Sequence, residues 1–159
     1  RASPVCEKPP ALPGDIYWDL HIIDLRGRSC LLAVHCHTRY TFVRWDVAPF
    51  QWADLPGLFR EGAVESLTSA GFCPTQVEAY LQQAGTLKLT RTHGRREVAF
   101  LNRAWDDAMA LDTCLDTSTQ VQPLLDHAVN TRPSRCAGFD GLGLALVRMG
   151  TVLSGKTNG

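Results

Sequence analysis

Lysine is scarce in this chain: three lysines stand against thirteen arginines in 159 residues. Net charge is missing as well, since sixteen basic residues balance sixteen acidic ones. A neutral chain has no overall field to draw it to nucleic acid or to a membrane, so any electrostatic function must come from local clustering. No CxxC pair occurs among the six cysteines at 6, 30, 36, 73, 114 and 136, which argues against a zinc ribbon or a thioredoxin-type centre. Secreted disulfide frameworks are shorter and denser in cysteine, so these thiols are expected to be reduced and the location cytoplasmic. No apolar run reaches the length of a membrane span and no signal-peptide pattern opens the chain, which sets a membrane aside as a partner. Neither a GxSxG elbow nor a GxxxxGK[ST] phosphate loop is found, and the spaced glycines of GFDGLGLA (138–145) follow no strand-like run. No cofactor, catalytic residue or metal ligand is assigned. His35 and His37 would share one face of a strand with Cys36 on the other, and two ligands in a polar turn do not make a metal site.

What is present is the composition of one ordinary globular domain, with 45% hydrophobic and 20% charged residues. Residues 1–14 hold four prolines and read as an extended lead-in. Three strand-like runs follow, IYWDLHIIDL, SCLLAVH and YTFVRWDV, joined by short polar turns into an antiparallel meander. The middle run is almost continuously apolar, which suits a central strand covered on both faces. A helix is expected over residues 55–70, with Asp54 as N-cap, Pro56 in the first turn and Gly71 just past the end. A second opens at Pro74 and Thr75, where Thr75 and Glu78 have the spacing of a capping box. A fourth strand is expected over 86–92. A helix is expected over 98–111, with Val98, Leu101, Trp105 and Met109 as its apolar stripe, and another near 118–129 with Pro123 at its start. Residues 15–139 form the domain on this reading, and 140–159 a glycine-laced tail, docked or partly disordered. The expected core includes Trp18, Leu20, Ile22, Leu32, Val34, Phe42, Phe59, Leu67, Tyr80, Leu81, Leu89, Leu101 and Trp105. The fold class is α+β, a small and mostly antiparallel sheet with helices mainly on one face.

Charge of one sign gathers only in TLKLTRTHGRREVAFLNRA (86–104), which carries Lys88, Arg91, His93, Arg95, Arg96 and Arg103 against Glu97. A strand feeding a polar turn and a helix N-terminus, with arginines beside the helix's first N–H groups, is a natural anion site. The plain alternative is a solvated arginine face paired with Glu97, Asp106 or Asp107. His93 next to Arg95 and Arg96 would suit general acid–base work in a small nuclease or hydrolase, though no partner for it stands out.

Four segments carry a family resemblance: WDLHIIDLRGRSCLLAV (18–34), TRYTFV (38–43), TLKLTRTHGRREVAFLN (86–102) and VNTRPS (129–134). They resemble a family of small bacterial proteins, domain-of-unknown-function family 6933, over residues 18–135. Thr38 stands where the family usually has asparagine, Thr131 and Arg132 are transposed relative to its usual order, and its N-terminal cysteine-threonine-lysine segment is reduced to Cys6, Glu7 and Lys8. The resemblance implies a bacterial α+β domain of the mobile or accessory gene pool, with no activity attached. It also groups Arg39, Arg91, Arg95, Asn102 and Arg132 as motif members. With His93 and Arg96 added, these are the residues expected to line a binding surface.

Three functions remain open. The first is a non-catalytic module gripping an anionic partner, nucleic acid or an acidic protein face, through the arginine-rich turn. The second is a protein-interaction domain that forms a homo-oligomer through residues 142–153. The third is a small hydrolase built on His93.

Overall fold

The computed structural model describes residues 5–6, 17–84, 89–90, 95–136 and 141–154, with side chains described in 17–82, 101–136 and 141–154. Its centre is the expected meander. Strand β2 (Trp18–Leu25) pairs antiparallel with β3 (Arg28–His35), and β3 pairs with β4 (Thr41–Arg44). The β2–β3 connection is a two-residue turn in which Arg26 and Gly27 both have positive φ, 52° and 78°. That geometry matches the twist of the strands it joins, and glycine adopts it without strain. A separate parallel pair forms between β1 (Val5–Cys6) and β5 (Leu89–Thr90). The latter pair is the described part of the expected fourth strand.

Period two in β2 and β3 sends alternate residues to two apolar layers. One holds Trp18, Leu31, Ala33, Tyr40 and Phe42 under helices α1 (Pro49–Trp52), α2 (Leu55–Ser69), α3 (Pro74–Ala84) and α6 (Ala145–Leu153). Trp18 is its hub, with Phe59 at 5.2 Å and Phe42 at 5.7 Å between ring centres and its indole N–H donating to the Tyr80 hydroxyl at 3.0 Å. Such edge-to-face contacts add to area burial, and the hydrogen bond satisfies the one polar atom of the indole. The other layer holds Ile23, Cys30, Leu32, Val34 and Val43 under α4 (Arg95–Ala110) and α5 (Pro123–Asn130). The protein is α+β, with most of its described helices on one face and the middle strand covered on both. Burial pushes the Cys30 thiol up, so this cysteine behaves as a small apolar side chain.

Local signals explain the helix ends. The Asp54 carboxylate accepts from the Gly57 N–H at 3.1 Å, starting α2 where expected. The cap of α3 falls two residues earlier than the Thr75–Glu78 spacing suggests. The Cys73 carbonyl takes the first helical bond, from the Val77 N–H, and Glu78 reaches across to Arg60 instead, at 2.8 Å. Gly62 is where α2 meets the sheet, since a Cβ there would stand 2.5 Å from Phe42 Cε1 and 2.9 Å from Arg44 Cδ.

Two expected core residues are corrected. Ile22 is 61% exposed, because it sits on the outer strand and the helices over that face leave it uncovered. Trp105 is 36% exposed with its ring 5.4 Å from that of His21, because α4 turns Ala104 and Ala108 to the sheet. Small residues let the helix approach closely, so the buried stripe lies one position away from the large apolar residues. Leu89 lies outside the residues whose side chains are described.

Among the described residues the outer edge of β4 meets no strand of its own length. Helix α5 lends it two side chains instead. Asn130 accepts from the Thr41 N–H at 2.8 Å and donates to the Thr41 carbonyl at 2.7 Å, while Asp126 accepts from the Val43 N–H at 3.0 Å. Spacing of i, i+4 on the helix puts both on one face, in step with alternate N–H groups of the strand. Beyond them Arg44 bridges to Val121, and the Trp45 N–H donates to the Gln120 carbonyl at 3.0 Å. After α5, β6 (Ser134–Arg135) pairs with β7 (Leu142–Gly143), and α6 returns to the core through Ala145, Met149 and Leu153. Among the described residues no helix is long and apolar enough to cross a membrane.

Candidate anion-binding site

The turn from β3 to β4 closes with two backbone bonds, from the His35 N–H to the Tyr40 carbonyl at 2.7 Å and from the Arg39 N–H to the His35 carbonyl at 2.8 Å. Closing it this way holds Arg39 at φ +68°, in the left-handed region that side chains other than glycine's seldom adopt. His35 and Thr38 are fully buried. The Thr38 N–H donates to His35 Nδ1 at 3.2 Å, and the Thr38 hydroxyl lies 2.7 Å from the same nitrogen. His35 thus braces the turn. Among the described residues no group of three His, Cys, Asp or Glu side chains is placed to hold a metal.

From this turn Arg39 reaches across and donates to the Arg135 carbonyl at 2.7 Å. It forms one wall of a small cleft whose other walls are Arg103, Ala104 and Asp107 of α4 and Arg132, Pro133 and Ser134 after α5. Arg103 Nε lies 3.2 Å from Asp107 Oδ1, and an Arg132 terminal nitrogen lies 3.5 Å from the same oxygen. Arg103 and Arg132, from two elements, therefore share one largely buried carboxylate, with Arg39 lining the same cleft. Burial pushes the Arg39 guanidinium below its usual range, and repulsion from Arg103 and Arg148 acts in the same direction. The cleft encloses about 20 Å³, room for about one ordered water.

Arg148 holds the cleft from behind. It is 4% exposed and donates to the Thr38 carbonyl at 2.9 Å, the Ser134 carbonyl at 3.1 Å and the Ser134 hydroxyl at 2.8 Å. One planar fork thereby ties α6 to both loops that carry cleft arginines.

Of the residues expected to line a binding surface, Arg39 and Arg132 are brought together, although 93 positions separate them in the chain. Asn102 is exposed on α4, next in sequence to Arg103. Arg95 and Arg96 open α4, and their side chains lie outside those described. Arg91 and His93 lie outside the described residues. Arg103 was visible in the charge cluster without being assigned to the surface. Asp107 and Arg148 were missed. The i, i+4 spacing of Arg103 and Asp107 was a legible sign of a helix-surface ion pair, whereas nothing local marks Arg148.

The family model described as Domain of unknown function (DUF6933) matches residues 6–141. The chain belongs to this family. Arg39, Arg103, Asp107 and Arg132 of the DUF6933 match form the cleft, while Arg148, which braces it, lies beyond the matched residues. Among curated proteins, none matches the chain.

Proposed function

We propose that the protein is a non-catalytic module that binds an anionic partner, with nucleic acid the class best suited to its arginines. The observation that supports this reading is the convergence of Arg39, Arg103 and Arg132 on one cleft, where Arg103 and Arg132 share a single oxygen of Asp107. Guanidinium groups suit phosphate oxygens because a planar fork of donors meets two acceptors at once. A cytoplasmic location and the bacterial, accessory-gene setting implied by the family resemblance belong to the same proposal.

Titrating a labelled single-stranded oligonucleotide at about 50 and 200 mM salt tests it, because three neutralised phosphates give a roughly twentyfold loss of affinity across that range. Arg103→Ala and Arg132→Ala should each weaken binding and flatten the salt dependence by about one counterion. Absence of oligonucleotide binding at the lower salt, or binding indifferent to salt, overturns the reading.

A protein-interaction role through residues 142–153 is the second reading. Leu142 and Val147 are 65% and 64% exposed while their neighbours Ala145 and Met149 are buried, so an apolar surface remains on that side. Light scattering on the wild type against a variant carrying Leu142→Asp and Val147→Asp, both at exposed positions, checks it. The His93 hydrolase reading gains no support from the described residues.

A further inference from the structure

We infer that the outer edge of β2 pairs with β2 of a second copy of this chain, antiparallel and about a twofold axis at Ile22. The inference goes beyond the anion-binding reading and does not depend on it. Edge geometry is the first argument. The two-residue turn at Arg26 and Gly27, and the bond from the Cys36 N–H to the Tyr17 carbonyl at 3.0 Å, set the odd-numbered residues of β2 facing β3. The backbone groups of Trp18, Leu20, Ile22 and Asp24 therefore turn outward. Among the described residues no strand or side chain bonds to those outward groups. The edge of β4 is taken by Asp126 and Asn130, whereas the longer β2 carries none of the lysines, prolines or bulges that blunt an open edge.

Symmetry is the second argument, and it selects a second copy as the occupant. A twofold axis perpendicular to the sheet keeps each side chain on its own face, so outward residues must meet outward residues. Centring on Ile22 meets that condition and sets Leu20 opposite Asp24 and His21 opposite Ile23. Asp19 then falls opposite Leu25, so no like charges face each other across the seam. Centring on His21 would crowd two imidazoles that already rest on Trp105, ring to ring at 5.4 Å. A chain of zero net charge also has no overall repulsion to oppose its own copy. Uncovered apolar surface is the third argument. Leu20 packs against the Trp18 layer, while Ile22 projects past it, exposed, and would be buried against its own counterpart at the axis. On the opposite face Trp105 leans over the same strand through His21, and Met109, one helical turn on, is exposed as well. Pairing stops at two copies, because the far edge of each sheet is held by α5.

Sedimentation of the full chain over a concentration series, with amide hydrogen exchange on the same samples, tests it. The wild type should reach twice the chain mass. Its Leu20 and Ile22 amides should slow as the dimer forms, while those of His21 and Ile23, bonded to β3, are slow throughout. Ile22→Lys, at an exposed position, should keep the fold and weaken the dimer by about a hundredfold, because two like charges meet at the axis. Ile22→Pro removes an outward N–H and no bond to β3, and should give a monomer too. The Leu142→Asp, Val147→Asp variant should remain a dimer, and its dissociation would overturn the inference in favour of the 142–153 surface. A monomeric wild type also overturns it: slow Leu20 and Ile22 amides would then mean an edge covered within one chain, and fast ones an edge left to a foreign strand. A dimer that survives Ile22→Lys overturns it as well. The anion-binding reading stands or falls separately, on the oligonucleotide titration.

Discussion

The two ends of strand β4 handle arginine in opposite ways. At its C-terminal end Arg44 is buried and meets two carboxylates, Glu65 at 2.8 Å and Glu61 at 2.9 Å, with the Gln120 amide oxygen also at 2.9 Å. Near its N-terminal end Arg103 and Arg132 share one aspartate beside Arg39, which donates to the Arg135 carbonyl. One buried cation with a surplus of anions is a structural contact, even though Arg44 Nε is buried without a hydrogen-bond partner among the described residues. Two cations on one shared carboxylate oxygen are a sparser contact, and the Arg44 end shows that the fold sets two carboxylates on one arginine where it is buried. Fold stability should therefore respond to the Arg44 end, and ligand affinity to the Arg39 end.

The strongest way to break the comparison is to release the helix that holds both ends. Asp126 is buried in α5 between the Val43 N–H and the Ser66 hydroxyl, which in turn meets the Tyr40 hydroxyl at 2.8 Å. Among the described residues no cation faces it. Burial is the main cause that raises its pKa from 3.8 to about 8, opposed by the two hydrogen bonds. Between those values the folded chain keeps a proton that the unfolded chain has lost. The stabilisation is therefore full below about pH 4, declines as pH rises, and is gone above about pH 8. Urea unfolding at pH 5 and 7.5 should show a loss on the order of 3 kcal/mol for the wild type. Asp126→Asn keeps an acceptor for Val43 and should flatten that decline to less than half. A variant with an undiminished pH slope would show that the proton sits elsewhere.

Next in size is Arg44→Ala, which should cost about 2–3 kcal/mol in unfolding free energy. The charge it leaves behind is on half-exposed glutamates, so the loss comes chiefly from the buried stem and its hydrogen bonds. Anion affinity should stay at the wild-type level. A variant equal in stability but weaker in binding would invert the assignment of the two ends. Smallest is Arg132→Ala, whose pair with Asp107 is long and exposed and should change stability by less than about 0.5 kcal/mol. A drop well beyond that would make the cleft a structural contact like the one at Arg44.

The sequence disclosed whatever depends on near neighbours. Alternation and the Arg26–Gly27 turn marked the meander, and Asp54, Pro56 and Gly71 marked α2. It misplaced the stripe of α4 because hydrophobicity favours Trp105 over Ala104, whereas close packing against a sheet favours the smaller residue. Half of the site was legible for the same kind of reason. Arg39 and Arg132 stood in motif segments, but Arg148 acts through bonds to Thr38 and Ser134 that are 110 and 14 positions away. Buried arginines that hold carbonyls leave no local pattern. The partner of Arg103 was readable only as one of several nearby acids.

Asp126 and Asn130 have one more effect. A foreign strand arriving at the outer margin of β4 would find the N–H groups of Thr41 and Val43 already taken by a helix of the same molecule. That margin is closed to runaway stacking of copies, and the short sheet keeps its width there. Growth of the sheet at that side would first require pulling α5 away, and with it the loop that carries Arg132.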